Sequence, residues 1–300
     1  MDVLRKKFTI FDAINYLFML LMMVVMIYPF WNTIAISFND AMDSIRGNIY
    51  FWPRVFTFYN YESLFATDNL INAFFVSVSK TVLVTILNVF FSAMTAYILS
   101  RREYFLNKVF TVFLVATMYV SAGLIPQYFN YRDFGLINNY FVYIAPGMLG
   151  VFNVIVIRTY IFTLPDSLAE SARIDGAGDF RIFLQIIMPL CKPVLATVAL
   201  WVAVGAWNEW FDTYIFASSK QELSTLQFEM MKLLSSSMVQ SGAQTPGLVA
   251  TSTQGGKSNM ITPVSIRSAI SIIAALPIIF VYPFLQKYFI AGLHVGGVKG

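Results

Sequence analysis

Two residue types that carry much of enzyme chemistry are nearly missing from this 300-residue chain, which holds one histidine, His294, and one cysteine, Cys191. A single cysteine excludes a disulfide or a multi-thiolate metal site within the chain, and its ordinary reading is a buried structural residue. A single histidine excludes multi-histidine metal sites. No nucleophile–base pair stands out, and no internal repeat is evident. Charge is scarce as well. Asp, Glu, Lys and Arg make up 12% of the residues, about half the share found in a soluble domain. The net charge of +4 gives no argument for nucleic acid.

What fills the chain instead is apolar: 58% of residues are hydrophobic and the mean hydropathy is +0.67. They cluster in runs of about 20 or more, the length a helix needs to cross the hydrocarbon of a bilayer. Six transmembrane helices are expected, over residues 14–36, 71–99, 109–130, 140–162, 190–216 and 263–290. A run such as "YLFMLLMMVVMIYPF" does not alternate as the strands of a membrane barrel do. The expected fold is an all-α, multi-pass membrane protein.

Basic residues set the orientation. Arg5, Lys6 and Lys7 precede the first span, and Arg101, Arg102 and Lys108 follow the second. Arg158, Arg173, Arg181 and Lys192 flank the connection after the fourth, and Lys287 and Lys299 close the chain. All fall on one side, while the opposite loops hold fewer basic residues over longer connections. Both termini are therefore expected in the cytosol. The first span resembles the apolar core of a signal peptide, but it is long and lacks a small-residue cleavage site, so it is read as an anchor.

Between the fourth and fifth spans lies "PDSLAESARIDGAGDFRIFLQIIMP", Pro165 to Pro189, on the expected cytosolic side. Ser167 and Glu170 fit a capping box that starts a short helix at Leu168; Thr163 and Asp166 offer a competing start one turn earlier. Ala169, Ser171 and Ala172 keep this helix thin, and Gly176 falls where a helix ends in a left-handed residue. Asp179 is expected to cap a second helix. Phe180, Phe183, Leu184, Ile187 and Met188 would form one apolar stripe on it, opposite Arg181 and Gln185. Pro189 ends or kinks that helix. An amphipathic linker at the lipid surface is the plain reading. Against it, Asp166, Glu170, Asp175 and Asp179 outnumber Arg173 and Arg181, and a lipid-facing helix gains nothing from a glycine hinge. A docking element for a cytosolic partner fits better.

The same residues carry a resemblance. E-S-A-x-x-x-G, nine residues, then I-x-M-P is similar to the EAA loop of bacterial ABC importer permeases, E-A-A-x-x-x-G-x9-I-x-L-P. Glu170, Ala172, Gly176, Ile186 and Pro189 match it; Ser171 and Met188 are the departures. "RIDGAG", from Arg173 through Asp175 and Ala177 to Gly178, resembles the stretch beside that loop. "WNEW", Trp207 to Trp210, resembles the "WNEF" of maltose-type sugar permeases, and "AYILSRREY" the cytosolic end of their second core span. The tail "VYPFLQKYFIAGLHVGGVKG" resembles the lipoprotein-associated permease C type, the subgroup for complex oligosaccharides. The similarity runs over essentially the whole chain.

The resemblance implies a type I ABC importer permease in a bacterial plasma membrane, with no catalysis and no cofactor of its own. Its implied partners are a second permease in a heterodimer, two ATPase subunits that bind ATP and Mg, an extracytoplasmic solute-binding protein and an oligosaccharide. It assigns ATPase coupling to Glu170, Ser171, Ala172, Asp175, Gly176, Ala177 and Pro189. The corresponding organisation is a cytosolic N-terminus (1–13), a first helix with an extracytoplasmic loop (14–70) and a five-helix core (71–290). That core contains the EAA loop (163–189) and a second extracytoplasmic loop (217–262), and a cytosolic tail (291–300) follows. His294 in that tail is read as facing solvent or the ATPase.

Polar and aromatic residues within the spans are candidates for a substrate path. Asn208 and Glu209 lie toward the outer-leaflet end of the fifth expected span, between Trp207 and Trp210, and an ionisable group at or near membrane depth is a functional hypothesis by default. Capping or snorkelling is the plain alternative for Glu209, and interfacial enrichment for the tryptophans. Asn153, Tyr119, Gln127 and Tyr128 are further candidates, as are Lys80 and Asn88; helix–helix hydrogen bonding competes for each of them. "TSTQGGKS", Thr251 to Ser258, ends like a phosphate-binding loop but has Thr251 where G-x-x-x-x-G-K-S/T requires glycine. It reads as a flexible loop. A secondary transporter with Glu209 as coupling carboxylate is the rival; such folds show inverted repeats and broken helices, and neither is expected here. A receptor or scaffold without transport would need neither polar spans nor a docking loop.

Overall fold

A computed structural model describes residues 9–65, 68–101, 103–242 and 262–296. Thr251–Ser258, Arg102 and the end of the tail lie outside the described residues, as does the side chain of His294. In chain order the helices are α1 (Ile10–Ser37), α2 (Ala41–Ile45), α3 (Tyr59–Phe65), α4 (Asp68–Ser100), α5 (Asn107–Tyr119), α6 (Leu124–Asp133) and α7 (Val151–Ile161). They continue as α8 (Ser167–Ile174), α9 (Asp179–Ile182), α10 (Met188–Leu190), α11 (Lys192–Asn208), α12 (Leu226–Gly242) and α13 (Pro263–Gly296). No strand occurs among the described residues, where the one β feature is a single antiparallel bridge between Asn39 and Phe56. The chain is all-α.

Among the described residues, three helices are long and apolar enough to cross a membrane: Ile10–Ser37, Asn69–Ser100 and Pro263–Val281. Two bent pairs, Asn107–Tyr119 with Leu124–Asp133 and Asp179–Leu190 with Lys192–Asn208, raise the number to five if each is one span. Three of the six expected spans are thus not continuous. The third bends by 117° at Gly123, whose φ of +85° is a left-handed conformation that only glycine adopts at little cost. Pro126 in the first turn of α6 suits a helix start rather than a helix interior. In the fourth, a 3₁₀ turn at Tyr140–Tyr143 gives way to Pro146, Gly147 and Gly150, which leaves only the 11-residue α7. The fifth breaks at Glu209, where α11 ends in an extended residue.

The chain divides into two compact units. One contains α1 to α3, and its loop is tied by asparagines with no solvent exposure. The Asn39 amide donates to Asp40 O, Asp43 Oδ2 and Ser44 Oγ, each at 3.0 Å, and its Oδ1 accepts from Val55 N–H at 3.0 Å. Asn60 Nδ2 reaches Ser37 O and Asn39 O, both at 2.9 Å. In the other unit α4 packs against both α7 and α11. Its main core joins Ala93, Ala96 and Tyr97 of α4 to Val154, Ile157 and Ile161 of α7 and to Val194 and Val198 of α11. Cys191 lies in this core, free and buried.

Candidate functional site

The polar hairpin after α7 is held on that core. Arg158, in the last turn of α7, donates from Nε to Leu99 O at 2.8 Å and from Nη2 to Asn107 Oδ1 at 3.0 Å. It thereby pins the ends of α4, α5 and α7 beside the hairpin. The expected capping box at Ser167 does not form. Backbone turns already begin at Pro165 and Asp166, with Leu168 N–H bonded to Pro165 O at 3.3 Å and Ala169 N–H to Asp166 O at 3.0 Å. Asp166 takes the N-cap position with helical dihedrals and no side-chain cap bond, so Ser167 is already inside the helix.

The end of α8 follows the expectation. Ala177 N–H bonds Ala172 O at 2.9 Å and Gly176 N–H bonds Arg173 O at 3.0 Å, the paired pattern of a Schellman cap, with Gly176 at φ +82°. A Cβ at Gly176 would meet nothing within 4 Å, so the glycine is required by the backbone alone and sits on open surface. Gly178 rather than Asp179 is the N-cap of α9. Asp179 is instead drawn to Arg173, whose guanidinium bridges Glu103 at 2.7 Å and Asp179 at 3.1 Å. These hydrogen bonds, Glu103 first, hold Arg173 above its ordinary pKa.

Two faces of the hairpin separate cleanly. Ala169 and Ala172 are buried in the chain's own core, so the thin side of α8 serves close packing within this subunit. Glu170, Ser171, Asp175, Gly176 and Pro189 are exposed, and Ala177 is half-buried. Beside them Leu168, Ile174 and Phe180 expose 41%, 86% and 60% of their surface, an apolar outer face among acidic groups. The expected stripe on the second helix is also redrawn. Ile182, Phe183 and Ile187 are buried, whereas Phe180 and Leu184 are exposed. The cause is a π-helical turn at Phe183–Ile187, whose wider winding shifts the register. Pro189, which cannot donate an α-helical bond, lies just beyond it.

A second polar assembly lies between α4, the Tyr140–Gly150 segment and the broken end of α11. It is an open cleft of about 360 Å³, with Lys80, Asn88, Tyr143, Glu209 and Asp212 among its walls. Lys80 is 3% exposed; its Nζ donates to Glu209 O at 3.2 Å and sits 4.9 Å from the centre of the Tyr143 ring. Asn88 Nδ2 donates to Gly147 O at 2.7 Å, and Asn88 Oδ1 accepts from Asn153 Nδ2 at 2.8 Å. Gly150 is confined here, since a Cβ on it would stand 2.6 Å from Asn153 Nδ2. One cation and two carboxylates therefore share a cleft with amide and phenol groups, a lining suited to hydroxyl-rich ligands.

No family model matches the chain. Full-length relatives do. The chain is 32% identical over 296 residues to the polygalacturonan/rhamnogalacturonan transport system permease protein YtcP of Bacillus subtilis (strain 168), covering 98% of this chain and 100% of that protein. Protein LplC of the same organism is 34% identical over 297 residues, at 98% and 97% coverage. The chain belongs to the carbohydrate ABC transport permeases. A solved structure agrees: a chain of a bacterial ABC transporter involved in the import of the acidic polysaccharide alginate superposes with TM-score 0.80 at 26% identity, covering 93% of this permease and 96% of that chain.

This permease is accordingly a membrane protein and a transport subunit, not an enzyme. Broken helices, a feature of secondary transporters not expected here, occur within an ABC permease, and the secondary-transporter reading is not supported. Of the span residues singled out from sequence, Glu209 lines the cleft, and Asn153 is bonded to Asn88 in its wall. Trp207 is buried elsewhere, edge-on to Phe74 at 6.1 Å and in the wall of a separate apolar pocket with Thr81 and Leu200. Asn208 Nδ2 donates to Val204 O at 2.9 Å and its Oδ1 accepts from Gln227 at 3.2 Å. Trp210 lies 5.7 Å from Phe211. Tyr119, at the end of α5, is 85% exposed. Gln127 donates to Tyr131 Oη at 2.8 Å, and Tyr128 stacks on Phe216 at 6.1 Å. Asp212 and Tyr143 were missed from sequence. The break at Glu209 brings Asp212 into the cleft, and continuous-helix spacing gave no sign of it.

Proposed function

We propose that this permease forms half of the channel of a binding-protein-dependent importer for oligosaccharides or related glycans, driven by separate ATPase subunits. The hairpin is the coupling element, facing the cytosol, and the permease core extends over residues 71–290. The observation that carries this reading is the two-faced hairpin. Its inner alanines are packed in the core, while Leu168, Ile174 and Phe180 are left exposed around Gly176 and Glu170. An exposed apolar face ringed by charge is the surface of a docking element. ATP binding by the partner closes the ATPase pair and moves the hairpin, which changes access to the cleft. Such coupling requires the partner to contact the hairpin differently in the two states.

A second permease, two ATPase subunits holding ATP and Mg, and a solute-binding protein complete the assembly in this reading. The relatives named for polygalacturonan and alginate place acidic glycans among the substrates to test first. The deciding experiment is gentle detergent purification of the tagged chain from its native membrane, with companions identified by mass spectrometry and ATP hydrolysis assayed. The expected result is co-purification of an ATPase that is lost, or uncoupled, in Gly176→Asp and Glu170→Lys. A chain that purifies alone and transports without ATP overturns the proposal.

A further inference from the structure

We infer that Lys80 is a positioning residue that holds the fifth span broken at Glu209. The break leaves backbone groups on both sides of it without helical partners. The 17-residue α11 ends with carbonyls that have no helical partner, and the next turn begins with amides in the same position. Glu209 stands between them, its side chain capping the amides while its own carbonyl adds one more acceptor that needs a donor. Its carboxylate Oε1 accepts from Phe211 N–H at 2.8 Å and Asp212 N–H at 3.2 Å, capping the following turn. Its own carbonyl accepts from Lys80 Nζ at 3.2 Å.

The arrangement is reciprocal. A cation from α4 sits at the C-terminal, negative end of α11, and a carboxylate sits at the N-terminal, positive end of the next turn. Lys80 is almost fully buried, and a buried ammonium persists only with partners; Glu209 O, the Tyr143 ring and the nearby Asp212 supply them. With the break held, Asp212 and Glu209 line the cleft. Lys80 thus decides which groups of the broken span face it, acting through Glu209. That the cleft is the substrate path rests on the proposed function; that Lys80 holds the break does not.

The test is hydrogen exchange by mass spectrometry on the detergent-purified permease with its companions, following the amides of residues 205–217. Lys80→Met is expected to speed exchange there by tenfold or more, with little change in the hairpin at 166–178. Lys80→Arg, which keeps a cation, is expected to restore most of the protection. Glu209→Gln retains an acceptor for the two amides and should change little, whereas Glu209→Ala should open the turn after the break. If Lys80→Met does not assemble, Lys80→Met/Asp212→Asn removes the opposing charge and keeps the test open. Unchanged exchange at 205–217 in Lys80→Met, or in the double variant, overturns the inference, as does equal acceleration throughout the chain. Either result leaves the ATPase-coupling reading standing, because that reading is decided by Gly176 and Glu170.

Discussion

The hairpin and the cleft both place charge in a chain that has little, and they do so by opposite means. In the hairpin, Arg173, Glu103 and Asp179 pair at the surface, with Glu103 and Asp179 side chains 72% and 70% exposed. Water screens such pairs, and each contributes on the order of 0–1 kcal/mol. In the cleft, Lys80, Asn88 and Asn153 bond backbone and amide groups inside the bundle, where an unmet partner costs on the order of 1–3 kcal/mol. The hairpin can therefore change its charges and keep its fold. The cleft cannot.

The largest effects are expected where the hairpin meets the core. Phe183 is buried where the hairpin meets α4, tilted on Tyr97 at 5.5 Å. Phe183→Ala is expected to cost about 3–5 kcal/mol, read as a large fall in the detergent melting temperature with loss of the assembled complex. A small effect would show that the hairpin is not anchored on the core. Gly150→Ala comes next. Its methyl displaces the Asn153 amide, and the expected loss is about 1–3 kcal/mol, visible in the same melt. Pairing it with Asn153→Ala should recover part of the loss, because the collision disappears with the amide.

At Gly176 the backbone role and the proposed contact role separate. Gly176→Ala is expected to cost about 1–2 kcal/mol for the left-handed conformation, while Gly176→Asn, which tolerates it better, should cost less. If the surface around Gly176 is an interface, Gly176→Asn melts nearly as the native chain does yet loses coupled ATP hydrolysis. If both are retained, Gly176 is a helix cap and nothing more. The smallest effect is expected from Arg173→Ala, within about 1 kcal/mol in the melt. A larger loss would show that the surface pairs are screened less than their exposure implies.

Much of the hairpin was legible in sequence because its signals are local. Gly176 as a left-handed cap needs only its neighbours, and the E-S-A-x-x-x-G spacing that carries the family resemblance is contained in a few residues. What went wrong there was also local: Ser167 lost the cap position to a turn that starts at Pro165, and the stripe on the second helix slipped with a π-helical turn. The spans fared differently. Gly123 with Pro126, and Pro146 with Gly147 and Gly150, are breakers that a hydropathy reading overrides, since apolar residues continue across them. Lys80 and Asn88 were visible as polar residues in a span, but their partners lie 129 and 59 residues away along the chain.

That the chain is helical and membrane-embedded follows from composition and order alone, because non-alternating runs of about 20 apolar residues leave the backbone no other way to satisfy its polar groups in lipid. Where the polar hairpin lies follows from the same source, since glycine and capping residues act over a few positions. Which spans break and which polar groups meet depends on how the helices pack. A break in a helix is tolerated where another element supplies the missing hydrogen bonds, and Lys80 reaches Glu209 only once α4 and α11 have packed together.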